Sequence, residues 1–178
     1  MAKKLTVTAL KAYLNEQSHD VLLADIVELF SKFKDVQEYY IFKLNPAQTE
    51  DVLNKYKKIV EDEFFPSRGG FGKLRASVVK KAIADYKKIS NEPRSLIDLM
   101  LHYIEQGTRF IKTYGDIDEV FYGSMEGTFA KALALIFKTG FDDEFYDRCY
   151  KIVQRSSSTG YGFHDTLNEY YLEFYGER

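Results

Sequence analysis

Only one cysteine, Cys149, occurs in the 178-residue chain, which excludes an internal disulfide and any zinc site built from several cysteines. It falls with Phe145, Ile152 and Val153 on the apolar side of a helical pattern, the place of a small buried hydrophobe rather than a nucleophile. Three prolines (Pro46, Pro66, Pro93) leave long stretches free to be helical. Tryptophan is absent, although 14 Tyr and 14 Phe supply aromatic bulk. The longest charge-free apolar runs, such as Ala132–Phe137, fall far short of the roughly 18 residues that cross a bilayer. Met1-Ala2-Lys3-Lys4-Leu5 has neither the apolar stretch nor the small-residue cleavage site of a secretory signal. A cytoplasmic protein with no membrane partner is the expectation.

A chain of this length forms one domain, taken here as 1–178, and buries roughly 70% of its unfolded surface. Apolar residues recur at helical spacing nearly everywhere, and no stretch alternates with period two. The pattern predicts an all-α fold of about nine antiparallel helices, over 7–16, 19–33, 35–44, 47–64, 73–89, 93–113, 117–139, 142–155 and 164–175. Asn45-Pro46 supplies a cap and a first-turn proline, and Pro93 opens a later helix in the same way. Gly115 and Gly140 sit where a left-handed residue stops a helix. Asp116 with Glu119 reads as a near capping box, and Asp142 as the cap of the following helix. The junctions Lys112–Glu119 and Lys138–Glu144 resemble each other. With helices near 20 residues, that favours a short α-α superhelix, a HEAT- or armadillo-like stack, over an irregular helical bundle.

Charge is unevenly spread although the net is only −2. Residues 68–88 carry seven basic side chains against Asp85, whereas 116–178 carry twelve acidic against six basic. Within the basic segment, Ser67-Arg68-Gly69-Gly70-Phe71-Gly72-Lys73 precedes a helix whose apolar face is Leu74, Val78, Ala82, Tyr86 and Ile89. Three glycines let backbone N–H groups turn towards an anion, and a helix N-terminus adds partial positive charge. Arg68, Gly69, Gly70, Gly72, Lys73, Arg75, Lys80 and Lys81 are therefore the candidate anion- or partner-binding residues; the same loop also reads as a structural linker. It is not a nucleotide-binding P-loop, because Ser67 stands where the first glycine belongs and Leu74 follows Gly72-Lys73. Phe64, Phe65 and Phe71 are placed to stack on bases, which makes nucleic acid the second candidate partner. A sequence pI near 6.0 argues against it.

No catalytic constellation assembles from the sequence, no metal set and no cofactor motif. Asp98, His102, Glu105 and Arg109 share one helical face, but as His-x-x-Glu in a single copy, whereas di-iron bundles need Glu-x-x-His on two helices. The row reads as a solvated face with Glu105 and Arg109 as an i,i+4 pair. His164-Asp165 follows the serine-rich loop 155–163 without a Gly-x-Ser-x-Gly elbow. Gly123, Gly127, Ala130 and Ala134 form a small-residue stripe, read as a helix-packing face with a ligand-lined cavity as the alternative.

In Lys73-Leu74-Arg75-Ala76-Ser77-Val78-Val79-Lys80-Lys81-Ala82-Ile83 and in Tyr114-Gly115-Asp116-Ile117-Asp118-Glu119, the chain resembles an uncharacterised family of small, all-helical bacterial proteins, a domain of unknown function. The resemblance extends over most of the chain and implies a helical fold and a bacterial cytoplasmic setting, with no activity attached. The expected function is a non-enzymatic helical module that binds another protein. Phosphate or nucleic-acid binding through the loop and helix of 68–88 is the alternative. Oligomeric state is not legible.

Overall fold

The computed structural model describes residues 5–45, 48–157 and 159–176; the expected first-turn proline, Pro46, lies outside them. Among the described residues the chain is all-α, with nine helices and no strand. They are α1 (Val7–Asn15), α2 (His19–Lys32), α3 (Lys34–Leu44), α4 (Thr49–Asp62), α5 (Ala76–Ile89), α6 (Pro93–Tyr114), α7 (Glu119–Thr139), α8 (Asp142–Ser156) and α9 (Phe163–Tyr175). None of them is long and apolar enough to cross a membrane.

Local chemistry sets most of the ends. Thr6 and Ser18 accept hydrogen bonds from Ala9 N (3.2 Å) and Val21 N (3.4 Å) as N-caps of α1 and α2. Pro93 occupies the first turn of α6, and Gly115 (φ 92°) and Gly140 (φ 73°) end α6 and α7 in backbone that favours glycine. Two expected caps are corrected. Asp118, not Asp116, caps α7, accepting from Phe121 N at 2.8 Å. Asp142 is the first residue of α8, and Phe141 stands at the cap without a side-chain bond. Helix α5 starts at Ala76 rather than 73, because Leu74 adopts φ 52° and its N–H donates to Glu63 O at 2.9 Å. That bond ties the preceding segment to the end of α4.

Helix α6 is the core of the molecule. Leu99, Leu101, Ile104 and Phe110 on it are fully enclosed, and it packs against α4, α5, α7 and α8. Full burial of such side chains stabilises by about 1.5–3 kcal/mol each. The α6–α7 crossing is closest at Gly107, where an added Cβ would lie 2.0 Å from Met125 Sδ. Helix α9 covers α7 and α8, burying Phe163, Leu167 and Tyr171. Cys149 is enclosed there, as a small hydrophobe should be, and burial pushes its thiol up to about 12.

The amino-terminal helices behave differently. Helix α3 is anchored by buried Glu38, which accepts from Tyr56 OH (3.0 Å) and pairs with Lys55. Helix α2 joins α3 through Gln37 Nε2 donating to Phe30 O (2.8 Å) and an edge contact of Phe30 with Tyr40. Neither α1 nor α2 buries a single residue.

Candidate functional site

Helices α5 and α7 wall a groove of about 520 Å³, floored in part by Leu96 and Met100 of α6. Ile83 and Ala84 of α5 and Ala134 and Leu135 of α7 add apolar surface. Lys80 and Lys87 stand on one wall, Lys131 and Lys138 on the other, and among the described residues no Asp or Glu lines it. Each wall repeats its lysine after seven residues, two helical turns or about 10.5 Å. The four ammonium groups form no ion pair among the described residues. The neighbouring Lys81 and Lys88 are instead taken up by Asp85. Positive potential is therefore concentrated on an apolar cleft, where low-dielectric walls strengthen it.

Gly123 and Gly127 lie on the α7 wall of this groove, and a Cβ added at either would meet nothing within 4 Å. The stripe is thus open surface and not the helix-packing face expected from the sequence; the close-packing glycine of the pair is Gly107 on α6. Beside the stripe, Ser124 lines the groove and accepts from Tyr103 OH at 2.9 Å. Tyr122 points elsewhere, donating to Asp116. Asp116 also accepts from Gly160 N at 3.1 Å, which pins the loop before α9 to the α6–α7 junction.

The glycine-rich loop distributes its candidate residues among different tasks. Gly69 and Gly70 take φ of 77° and 85° in an exposed turn, with Arg68 and Lys73 exposed beside them. Gly72 N donates to Phe64 O at 3.1 Å, and an added Cβ would stand 1.9 Å from the backbone oxygen of Glu63. Only glycine fits there. Arg75 is committed to buried Glu63: Nη2 donates to Oε1 (2.5 Å), and Nε (3.1 Å) and its backbone N (3.0 Å) donate to Oε2. The Arg75 bonds hold the Glu63 carboxyl below its ordinary range. Lys80 reaches the groove, and Lys81 pairs with Asp85. Of the aromatics placed for base stacking, Phe64 is buried. Phe65 lies under the Arg109 guanidinium at 4.4 Å, and Phe71 rests on Tyr114 with ring centroids 4.4 Å apart.

The polar row on α6 is also not the solvated face it reads as. Arg148 of α8 grips Glu105 with Nε and Nη2 (2.8 and 2.9 Å) and Asp98 with Nη1 (2.6 Å). Lys57 of α4 reaches Asp98 at 2.7 Å. Glu105 therefore pairs across helices, and Arg109 turns to Phe65. Burial works against the charge on Asp98, but Lys57 and Arg148 outweigh it and leave its carboxyl below the ordinary range. His102 sits beside this network with burial lowering its pKa and Nε2 enclosed without a partner. The cluster is a staple joining α4, α6 and α8. Near the serine-rich loop, Ser156 Oγ lies 3.0 Å from His164 Nδ1 and donates to Val153 O at 2.7 Å. Ser156 is fully enclosed, so no acyl group can approach it.

Sequence reasoning missed the groove through one usable signal. The row through Gly123 and Gly127 continues to Lys131, Ala134 and Lys138, and a packing face would have to bury both ammonium groups. Residues 5–174 match the model of a family described as a family of unknown function (DUF6155). No curated protein and no solved structure matches the chain.

Proposed function

The chain belongs to that family of unknown function, and we propose that it is a non-enzymatic binding module whose α5–α6–α7 groove seats an acidic amphipathic helix of another protein. One observation carries the reading: among the described residues, four lysines and no carboxylate rim an apolar groove whose glycines no side chain covers. An apolar stripe laid along the groove would cover Ile83, Ala134 and Leu135 above the buried floor of Leu96 and Met100, as in other helix-in-groove contacts. Carboxylates on each edge of that helix would meet the lysine pairs. The open glycines let its backbone approach α7. A cytoplasmic, bacterial setting is part of the proposal.

The same lysines would attract a phosphate backbone, so nucleic acid is the competing reading. Fluorescence anisotropy separates them with three probes. These are an 18-residue helix with leucine on one face and glutamate along both edges, its lysine-edged counterpart, and a 12-nucleotide single-stranded DNA. The acidic helix is expected to bind wild type, to weaken with salt, and to lose at least tenfold in affinity against Lys80→Glu/Lys131→Glu. Equal binding by that variant, or no binding at low salt by either wild type or Asp20→Lys/Asp25→Lys, would sink the reading. Tight DNA binding without helix binding would transfer the groove to nucleic acid.

A further inference from the structure

The chain carries an acidic amphipathic helix of its own, α2, which touches α3 through Phe30 but buries no residue among those described. Most of the large apolar side chains left exposed lie between Leu5 and Phe33, among them Leu23 (53%), Val27 (55%) and Ile26 (42%). At 100° per residue, Leu22, Leu23, Ile26, Val27, Leu29 and Phe30 of α2 fall within one arc of about 160°. Asp20 lies just beyond one edge of that arc and Asp25 just beyond the other. Glu28 is on the polar back, paired with Lys32. The helix thus presents an apolar stripe with one carboxylate at each edge, Asp20 and Asp25, to set against the lysines on each wall of the groove. Helix α1 has only nine residues, too few to persist in water without packing. An apolar surface of this extent on adjoining helices marks an association site.

Resting on the groove reading above, we infer that the groove is occupied by α2 of a second copy of this chain, the two copies exchanging amino-terminal arms reciprocally. Reciprocity follows because each chain owns one arm and one groove. A two-fold exchange satisfies both pairs and closes, whereas a one-way contact would propagate as a filament. The charges also fix the choice of occupant. The arm edges are acidic, the groove rims are basic with no acid between them, and like-charged faces are kept apart.

Sedimentation velocity on the full chain between 5 and 100 μM at low salt tests this. Wild type is expected at twice the chain mass of 20.7 kDa. The groove variant Lys131→Glu/Lys138→Glu and the arm variant Asp20→Lys/Asp25→Lys should each be monomeric, with unchanged helical circular dichroism. Mixing the two variants should restore association, because the native acidic arm of the groove variant meets the native basic groove of the arm variant. Monomeric wild type at 100 μM overturns the inference, and so does a dimer that both variants retain. The glutamate-edged probe helix separates this failure from failure of the groove reading, using the arm variant, whose groove is free. Probe binding to it beside a monomeric wild type removes only the second copy. No probe binding removes the groove reading as well.

Discussion

Alanine at Gly123 and Gly127 should make the protein more stable and the groove less able to bind. Glycine inside a helix is less favourable than alanine by about 0.5–1 kcal/mol, because the unfolded chain gains more freedom from it. An added Cβ meets nothing within 4 Å at either position, so no packing loss offsets the gain. The double substitution should stabilise by about 1–2 kcal/mol, which for a chain of this size raises Tm by roughly 2–8 °C. The internal control is Gly107→Ala. There the Cβ would stand 2.0 Å from the sulfur of Met125, a side chain with no exposed surface. Forcing that contact should cost about 1–3 kcal/mol. Thermal and urea denaturation in the Asp20→Lys/Asp25→Lys background, whose groove is free, followed at 222 nm, give both signs in one experiment. On the function side, Gly127→Leu fills the groove wall and should abolish binding of the acidic probe helix while leaving the fold intact. Destabilisation by the Gly123/Gly127 pair would mean that something already covers these glycines. Undiminished probe binding by Gly127→Leu would mean that the occupant does not lie where the groove is.

Two further outcomes follow from the charge network. Arg148→Met strands Glu105 between helices and should destabilise by about 2–3 kcal/mol, less than the 3–5 kcal/mol of a fully buried pair, since these side chains keep roughly a quarter of their exposure. Arg148→Met/Glu105→Gln should recover part of that loss in urea titration, and a double variant worse than the single would contradict the pairing. The urea midpoint should also fall on acidification in two stages. His102, whose folded pKa burial lowers from 6.5, contributes stability above pH 6.5 that is lost as pH drops towards its folded value. Glu63, held low by Arg75, and Asp98, where Lys57 and Arg148 outweigh burial, contribute stability above their unfolded values of 4.5 and 3.8. That contribution disappears as pH falls through their depressed folded values. Glu126, raised by burial, works in the opposite sense. His102→Gln should flatten the first stage only; a midpoint that rises between pH 6.5 and 4 would refute the assignment.

The helix ends marked by proline or glycine were legible because those residues act locally. Pro93, Gly115 and Gly140 act through their own backbone preferences, and the apolar side of Cys149 follows from its immediate neighbours. What failed were readings that needed a partner from elsewhere in the chain. Asp98 and Glu105 look solvated until Arg148, more than forty residues on, is laid across them. Arg75 looks available to an anion until the end of α4 returns as Glu63. Asp116 looks like a cap until Gly160 comes to meet it.

The groove and the arm share one cause of illegibility. Helical periodicity reports that a helix has an apolar face and says nothing of whether that face is covered. Helix α2 shows the same kind of amphipathic pattern as α4, yet α4 buries Val52, Leu53, Tyr56 and Val60 while α2 buries nothing. The difference arises from geometry: α6 has four helices around it, and their faces saturate its surface before the amino-terminal helices can reach it. The arm is therefore left over from a completed core. Its acidic edges keep it soluble while it is uncovered, and they select a basic surface when it is covered. The lysine rims of the groove do the reverse. Each surface is thus stable alone and stabilised further by its opposite, which is the physical condition for an association that salt can reverse.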